Sequence, residues 1–506
     1  MRALISVYDK EGLIPLARGL AGLGVELVSS GGTSAALAAE GNAHAEVASV
    51  TGAPEMLGGR VKTLHPKIHG GILADRSKAE HLADLARQEI EPIDLVVCNL
   101  YPFGREPSIE MIDVGGPTMV RAAAKNHDHV AVVVDPADYD VVLDELSSAG
   151  AVSAATRRRL ARAAFAHTAA YDAAIVSWFD ANSDAEDALP PTLHLALERV
   201  GELRYGENPH QHGARYRTLG APAGFWEGVV QHGGRELSYL NLFDGEAAWR
   251  LCHELKALGR GAAAVIVKHA NPCGAAIDGD ITEAYQRAFA SDPISAFGGI
   301  VALSEPIDLP LAEAIVKNAL ADVLLAPGMS EEAIELFNAK RKNMRPLGAP
   351  LPSAEYLGLR QISGGFLVQE QDRFLARRES WKVVTERQPD EQQWSDLELA
   401  WLVCGRTSSN AIVLVKDNQV VGVGCGQQNR VDAAGLAATK ADGRAEGGVA
   451  ASDAFFPFRD GLDAVVDAGA TVVIQPGGSL RDDDIIAAAN ERGIAMVMTG
   501  ERHFRH

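Results

Sequence analysis

Several features that mark common protein classes are scarce or missing in this 506-residue sequence. The five cysteines are scattered, odd in number and free of any CxxC pair, which indicates reduced thiols in a cytoplasmic protein. The net charge is −20 and no long basic block occurs, which argues against nucleic acid or an anionic membrane as the main partner. No uncharged run reaches membrane-spanning length, and the N-terminus lacks the apolar core of a signal peptide. A small phosphorylated substrate stays open, because a pocket needs only a few local cations.

The chain is too long for a single hydrophobic core, so two or three domains are expected. Its apolar content of 47% and charged content of 23% are ordinary for a soluble globular protein. The segment 181–192, ANSDAEDALPPT, is acidic, carries prolines and has no apolar period, which is typical of a domain boundary. We therefore predict one domain over residues 1–190 and a larger one over residues 191–506.

The first domain alternates short apolar strands with helices, a pattern that predicts a parallel, doubly wound α/β sheet. One strand runs into Ser30-Gly31-Gly32-Thr33 and then into an alanine-rich helix. Glycines let the backbone approach a phosphate, and free amides at a helix start bind the anion. The segment is neither GxGxxG nor a P-loop, so neither a nicotinamide cofactor nor ATP is indicated. Read alone, a plain helix cap explains it about as well.

A second polar segment of this domain is 58–71, GGRVKTLHPKIHGG, which concentrates basic residues among four glycines and one proline. A solvated loop would rarely need so many glycines beside so much positive charge. His65 and His69 are spaced four apart, but neither a helix nor a third ligand is evident from the sequence. Metal binding is therefore disfavoured here.

The larger domain is organised around 262–274, AAAVIVKHANPCG. The uncharged run Ala263 to Val267 predicts a strand buried on both faces, and the stretch Asn271 to Gly274 predicts a turn. Lys268 and His269 then lie at a strand end, where open sheets bind ligands. Histidine exchanges protons near neutral pH, and a neighbouring lysine can stabilise developing negative charge. Taken alone, a rim histidine beside a solvent-seeking lysine explains the pair equally well.

Further polar segments of this domain are expected at the ends of strands or in turns. They are Leu203 to Gln211, Asn241 to Asp244, Ser291 to Gly299, Ser408 to Asn410, Gly426 to Arg430 and Pro476 to Ser479. The segment Ser452 to Asp460 carries three phenylalanines beside charges, which favours a stacking wall for a flat heterocycle over simple core packing. Both halves of the domain follow the scheme of buried strand, polar turn and helix, so an internal duplication is conceivable although no clean sequence repeat is visible.

Taken together, these segments resemble the family of bifunctional purine-biosynthesis enzymes that combine AICAR transformylase with IMP cyclohydrolase. The resemblance runs nearly end to end. It is carried by SVYDKEGL, SGGT, GGRVKTLHPKIHGGIL, NLYPF, IDVGG and RAAAKN in the first domain, and by LRYGENPHQ, VKHANPCG, SDPISAFGG, GQQNR, SDAFFPFRD and the terminal RHFRH in the second. Within that last motif, His503 and Arg505 depart from the usual pattern.

The resemblance implies a methylglyoxal-synthase-like first domain (the cyclohydrolase) and a second domain of cytidine-deaminase-like units (the transformylase). It implies formyl transfer from 10-formyltetrahydrofolate to AICAR and then dehydrative ring closure to IMP, with no metal or redox cofactor. The ligands would be AICAR, formyl-AICAR and IMP, and the enzyme a cytoplasmic homodimer with shared transformylase sites.

The resemblance also assigns residues to roles. In the larger domain His269 is the proton acceptor and Lys268 its cationic neighbour. The AICAR-binding set is Arg204 and Tyr205 (from the partner subunit), Asn241, Gly298, Asp322, Asn410 and Arg502, with Asp322 in a variable segment. The set facing the folate is Phe297, Arg430, Phe455, Asp460 and Ser479. In the first domain the phosphoribosyl set is Lys10, Ser30, Gly31, Gly32, Thr33, Arg60 and Thr63, with Asn99 as a further substrate residue. The catalytic set around the closing ring is Lys62, Tyr101, Asp113 and Lys125.

Two other functions are weaker. A zinc nucleoside deaminase needs H-x-E and P-C-x-x-C, whereas Asn271 stands two residues after His269 and Ala276 three after Cys273. A non-catalytic nucleotide sensor explains the glycine turns but gives no purpose to the Lys268-His269 pair or to the second domain. A zinc assay separates the first alternative, and turnover of AICAR with a folate formyl donor separates the second.

Overall fold

The computed structural model describes residues 1–183, 189–220, 223–352 and 357–506. The predicted boundary segment 181–192 thus lies partly outside the described residues. The chain divides into two compact units, Met1–Arg199 with Tyr216–Ala221, and Val200–Arg215 with Pro222–His506.

The first unit is built on one parallel sheet. Its strands are β1 (Arg2–Ile5), β2 (Glu26–Ser29), β3 (Ala45–Glu46), β4 (Leu95–Val97) and β5 (Ala131–Val133). Its helices are α1 (Leu13–Gly22), α2 (Gly31–Ala39), α3 (Val47–Thr51), α4 (Pro66–Leu73), α5 (Ala79–Arg87), α6 (Gly115–Lys125), α7 (Tyr139–Ala149) and α8 (Ala154–Ala181). The strand order is β3-β2-β1-β4-β5, all parallel.

Both faces of this sheet are covered. Ala3 and Ile5 pack with residues of α1 and α7, whereas Leu4 between them packs with residues of α6 and α8. This alternation follows from the two-residue period of a strand. The doubly wound sheet predicted from the sequence is confirmed.

Strand β6 (Leu197–Leu203) pairs with β7 (Gly213–Thr218) in a two-stranded sheet. The second unit then holds α9 (Phe225–Gly228), β8 (Val230–Gln231), α10 (Tyr239–Lys256), β9 (Ala262–Lys268), β10 (Asn271–Asp278), α11 (Ile281–Ser291), β11 (Ile300–Leu303), α12 (Leu309–Lys317), β12 (Val323–Ala326), α13 (Glu331–Lys340) and β13 (Arg345–Gly348). It continues with β14 (Gly358–Ile362), β15 (Gly365–Gln369), β16 (Lys382–Val383), α14 (Glu391–Gly405), β17 (Ile412–Lys416), β18 (Gln419–Gly424), α15 (Arg430–Ala441), β19 (Val449–Ser452), α16 (Arg459–Asp467), β20 (Val472–Gln475), α17 (Asp482–Glu491) and β21 (Ala495–Met498).

The second unit is an internal duplication. Its mixed sheet has the order β16-β21-β20-β19-β17-β18-β10-β9-β11-β12-β13-β8, so each half reads outward as an antiparallel hairpin, then parallel strands, then a short antiparallel edge strand. Helices α10 and α14 share one continuous core on one face. The helices after each hairpin cover the other face in two separate cores. The duplication that the sequence only allowed is therefore visible in the topology.

Three sequence predictions about local structure are wrong. Asn271 to Gly274 is not a turn but the start of β10, and the turn consists of His269 and Ala270. Pro272 is tolerated in the strand because the pairing shifts register between Pro272 and Gly274. Asn241 to Asp244 lies inside α10 instead of before a helix. Residues 66–73 form a helix that the sequence did not reveal.

Candidate active sites

In the first unit, the predicted residues gather where β1, β2 and β4 end. Lys10 follows β1 and its Nζ donates to the carbonyl oxygens of Val7 and Tyr8, the second at 3.0 Å. Burial lowers the pKa of the Lys10 ammonium. Asn99, after β4, accepts from the N–H groups of Tyr8 (2.5 Å) and Asp9 (3.1 Å). The two loops are thus tied together at one edge of the sheet.

The glycine turn after β2 leads directly into α2. Ser30 is the N-cap residue, and its side chain makes no capping hydrogen bond. The hydroxyl of Thr33 is buried; it accepts from the N–H of Val7 at 3.0 Å and donates to the Val7 carbonyl at 2.9 Å. The Thr33 hydroxyl therefore joins α2 to β1, and the first amides of the helix are what the turn offers to an anion.

Lys62 lies over the start of α2. Gly31 has φ +57°, a left-handed conformation that favours glycine, and a Cβ there would lie 2.9 Å from Lys62 Nζ. Nζ also pairs with Glu55 Oε1 at 2.9 Å. The structure thus brings an ammonium and free helix amides to one place. Arg60, two residues earlier, is exposed and pairs with exposed Glu110.

Asp113 lies at the N-terminus of α6. Its Oδ1 accepts from the N–H of Gly116 at 2.9 Å, and its own N–H donates to the hydroxyl of Tyr171 at 2.8 Å. Burial raises the pKa of this carboxyl, against the lowering effect of the Gly116 and Gly115 amides. Thr63 Oγ1 would lie 3.2 Å from a Cβ on Gly115, so the segment carrying Lys62 also reaches this helix start.

Two other predicted residues of this site differ in position. Tyr101 is exposed, and its ring lies 5.5 Å from that of Tyr8, at the same edge. Lys125 is the last residue of α6, ten residues after Gly115. At 1.5 Å rise per residue its backbone lies about 15 Å along the helix from Gly115. The backbone of Lys125 is therefore at the opposite end of α6 from Asp113.

In the second unit, His269 is exposed at the tip of the β9–β10 hairpin. Its main-chain N–H donates to Asp244 Oδ2 at 3.1 Å, and its carbonyl accepts from Asn271 Nδ2 at 3.0 Å. Lys268 Nζ donates to the carbonyls of Phe297 (3.1 Å) and Gly298 (2.9 Å). The lysine is thus anchored to the loop before β11, and the imidazole is left facing solvent.

A second group of predicted residues lies near the starts of strands β11, β12 and β13. Asp322 bonds through its N–H to Gly299, and its carbonyl accepts from the N–H of Arg345. Burial lowers the pKa of the Arg345 guanidinium. Nearby Asp322 and Tyr205 act in the opposite direction, and nearby Arg204 of the same chain lowers the pKa further. Three interstrand spacings, about 14 Å, separate Arg345 on β13 from the strand that ends in Lys268.

Two predicted ligand residues have capping or main-chain partners, and a third lies over an aromatic ring. Asn241 and Ser238 form a capping box at the start of α10, with bonds of 3.1 and 3.2 Å. Asn410 Nδ2 donates to the Gln427 carbonyl at 2.9 Å. Arg502 is exposed, with its guanidinium 4.3 Å from the centre of the Phe504 ring.

The predicted folate residues differ in exposure. Arg430 is buried; it pairs with Asp453 and donates to Ser452 Oγ and to the carbonyl of Phe455, both at 3.1 Å. Phe297 is 63% exposed and Phe455 half-buried, whereas Phe456 is fully buried in the core. Only part of the phenylalanine segment could therefore form a stacking wall.

Asp460 and Ser479 complete the predicted folate set. Asp460 is exposed and accepts from the N–H of Gly461 at 2.8 Å. Ser479 accepts from the N–H of Arg481 at 3.1 Å, in the glycine turn after β20.

A cavity of about 370 Å³ also lies in the second unit, between α10, α14 and residues 371–378. None of the predicted site residues lines it. One of its lining arginines, Arg406, pairs with Glu254 at 2.6 Å and with Asp372 at 3.4 Å. We assign it no part in the chemistry.

Sequence reasoning missed two residues beside the His269 turn. Asp244 was placed in a turn, and Arg505 was noted only as a departure from the terminal motif. Arg505 Nη1 donates to the Ala270 carbonyl at 2.8 Å. No local pattern reveals this contact, because 235 residues separate the partners.

The chain is similar to known protein families along most of its length. The sequence model of the AICARFT/IMPCHase bienzyme matches residues 123–440, more than half of the chain, and the MGS-like domain matches residues 12–127. A solved structure titled "Crystal structure of ForH" is 40% identical, with a TM-score of 0.33, over 35% of this chain and 98% of that one. Among the described residues, no helix is both long and apolar enough to cross a membrane. The chain therefore belongs to the AICARFT/IMPCHase bienzyme family, the bifunctional AICAR transformylase and IMP cyclohydrolase of purine biosynthesis.

Proposed function

We propose that the first unit performs the cyclohydrolase step and the second unit the transformylase step, with 10-formyltetrahydrofolate as formyl donor. Members of this family take the formyl group from formyl-tetrahydrofolate in general. The observation that carries the assignment is His269: an exposed imidazole at a hairpin tip whose backbone is bonded on both sides. A side chain so placed can meet a substrate while its main chain is held still.

In the transformylase reaction, the 5-amino nitrogen of AICAR attacks the formyl carbon of the donor. The amine is a poor nucleophile because it is conjugated with the ring and its carboxamide, so His269 removes its proton as the bond forms. The tetrahedral oxyanion then collapses, the bond from the formyl carbon to N10 breaks, and the proton passes to N10. Lys268 contributes its positive charge near this centre while its N–H groups stay on the Phe297 and Gly298 carbonyls.

AICAR is held by the predicted residues around two separate places. Arg204 and Tyr205 lie near Arg345 on β13, about 14 Å from the strand that ends in Lys268, whereas Ser408, close to Asn410, bonds Asn271 of the His269 hairpin. We propose a homodimer in which Arg204 and Tyr205 of one copy complete the His269 site of the other, to which Asp322, Asn410 and Arg502 also contribute. Asn241 supports this site through the start of α10, and Gly298 through its contact with Lys268.

The folate is held at the loops after β19 and β20. Phe297 and Phe455 supply ring contacts, and Asp460 and Ser479 supply polar ones. Arg430 takes part indirectly, because its Nε bonds the Phe455 carbonyl and fixes that phenylalanine.

In the cyclohydrolase reaction, the carboxamide nitrogen attacks the new formyl carbon and a water molecule is lost. Lys10, Arg60, Thr63, Asn99 and the amides of the 30–33 turn bind the phosphoribosyl group. Lys62 stabilises the oxygen that becomes negative, Asp113 exchanges the proton, and Tyr101 flanks the ring. Lys125, at the other end of α6, is the fourth residue of this catalytic set.

The experiment is to follow both steps in one chain with two matched variants. His269→Ala should abolish formyl transfer and leave ring closure of supplied formyl-AICAR intact, and Asp113→Asn should do the reverse. General-base removal costs about 10²- to 10⁴-fold. Equal loss of both activities in a folded variant would contradict the assignment of one step to each unit.

A further inference from the structure

The two repeats of the second unit hold their hairpin turns with the same device. Asp244, the sixth residue of α10, accepts from the N–H of His269 at 3.1 Å and lies beside the Ala270 N–H. Asp396, the sixth residue of α14, accepts from the N–H groups of Asp417 (2.9 Å) and Asn418 (2.6 Å). Both turns have two residues, between β9 and β10 and between β17 and β18.

The residues in the two turns are not equally suited to that shape. All four have positive φ, namely +53° and +56° for His269 and Ala270, and +53° and +59° for Asp417 and Asn418. Aspartate and asparagine enter the left-handed region readily, whereas alanine does so at a cost. The turn that carries the histidine is therefore the one whose own sequence opposes its conformation, so surrounding contacts must hold it.

An arginine closes each turn from the carbonyl side. Arg505 Nη1 donates to the Ala270 carbonyl at 2.8 Å and also to that of Arg406. The Arg505 main chain is fixed in turn, because it accepts from the N–H of Ser409 at 2.9 Å and donates to the Ser409 hydroxyl at 3.1 Å. The turn of the other repeat is closed by Arg287, which lies on α11 of the first repeat and donates to the Asp417 carbonyl.

We propose that Asp244 and Arg505 are positioning residues for formyl transfer, which hold the His269–Ala270 turn in its left-handed conformation and so aim the imidazole. This rests on the proposed role of His269 as proton acceptor. Asp396 and Arg287 do the same for a turn that carries no reacting group, so they supply matched controls within the same unit.

The test compares two pairs of variants in the full-length enzyme: Asp244→Asn with Asp396→Asn, and Arg505→Met with Arg287→Met. We expect Asp244→Asn and Arg505→Met to lower kcat for formyl transfer about 10- to 100-fold, the effect of a misaligned group, with KM for AICAR changed less than about threefold. The two controls should keep kcat, and ring closure should be unchanged in all four. Equal loss of kcat in the control variants, or a raised KM with normal kcat, would overturn the proposal.

A rescue separates positioning from general packing. Glycine adopts positive φ freely, so Ala270→Gly should restore part of the kcat lost in Arg505→Met. No recovery in the folded double variant would count against the proposal. If Arg505→Met does not fold, Arg505→Lys and Arg505→Gln take its place. The kcat should fall less in Arg505→Lys, which keeps a cationic donor, than in Arg505→Gln. A wild-type kcat in Arg505→Gln would refute positioning. The role of His269 itself is tested separately, since His269→Ala retaining formyl transfer would defeat the proposed function whatever these variants do.

Discussion

At the scale of single residues, the first unit holds one glycine in a left-handed backbone conformation and one carboxyl group in a partly buried position. Gly31 is favoured because its φ of +57° lies in the left-handed region, which strains residues with a Cβ. Asp113 is kept partly buried, where ionisation is costly, and two amide N–H groups offset only part of that cost. Functional sites commonly trade stability in this way.

Asp113 gives a prediction about pH. Its pKa is raised in the folded state, so its favourable contribution is complete below about pH 4 and is lost as the pH rises through the folded value. Asp113→Asn should therefore stabilise the first unit by an amount that grows from about pH 4 upward and then levels off. Thermal unfolding across this range measures it, with exposed Asp128→Asn as control. A gain that is largest in acid would show the sign to be wrong.

At the scale of elements, glycine in the second strand of each hairpin permits the next helix to pack. A Cβ on Gly274 of β10 would clash with the Ala288 carbonyl of α11, and one on Gly424 of β18 with the Ala433 carbonyl of α15. Gly274 does not have a positive φ, so it is a close-packing glycine and not a turn glycine. This explains why the sequence misplaced the turn.

Gly274→Ala should therefore cost about 1–3 kcal/mol of unfolding free energy, the usual effect of overpacking. The matched control is Gly435→Ala at an exposed position of α15, where a Cβ meets nothing within 4 Å and the higher helix propensity of alanine should raise the unfolding free energy by about 0.5–1 kcal/mol. Denaturant unfolding of both variants decides the point. A neutral Gly274→Ala would mean that β10 and α11 move apart without penalty.

At the scale of the whole molecule, Arg204 lies near β13 of the second unit, whereas His269 follows β9, three strands away in the sheet. In a two-fold dimer each site can draw one group from each copy. Because every native chain carries both Arg204 and His269, the native enzyme cannot show whether one site takes them from the same chain or from two chains. Mixing of variant subunits distinguishes the two arrangements.

Mixing an Arg204→Ala chain with a His269→Ala chain should restore formyl transfer if the site is shared. With random exchange, roughly a quarter of all sites would combine both native residues. Activity is measured after exchange through mild denaturation, with each variant treated alone as control. No recovery despite confirmed mixed dimers would place Arg204 and His269 of the same chain in one site.

The motifs by themselves indicated the family by resemblance, and the period and order of apolar residues determined the parallel sheet of the first unit and the buried strand before His269. Tertiary structure alone decided that Asn271 begins a strand and that Arg430 is buried against Asp453. The contact of Arg505 with the Ala270 carbonyl belongs to the same class. Hydrogen bonds and close packing join residues far apart in the chain, and no window of sequence contains both partners.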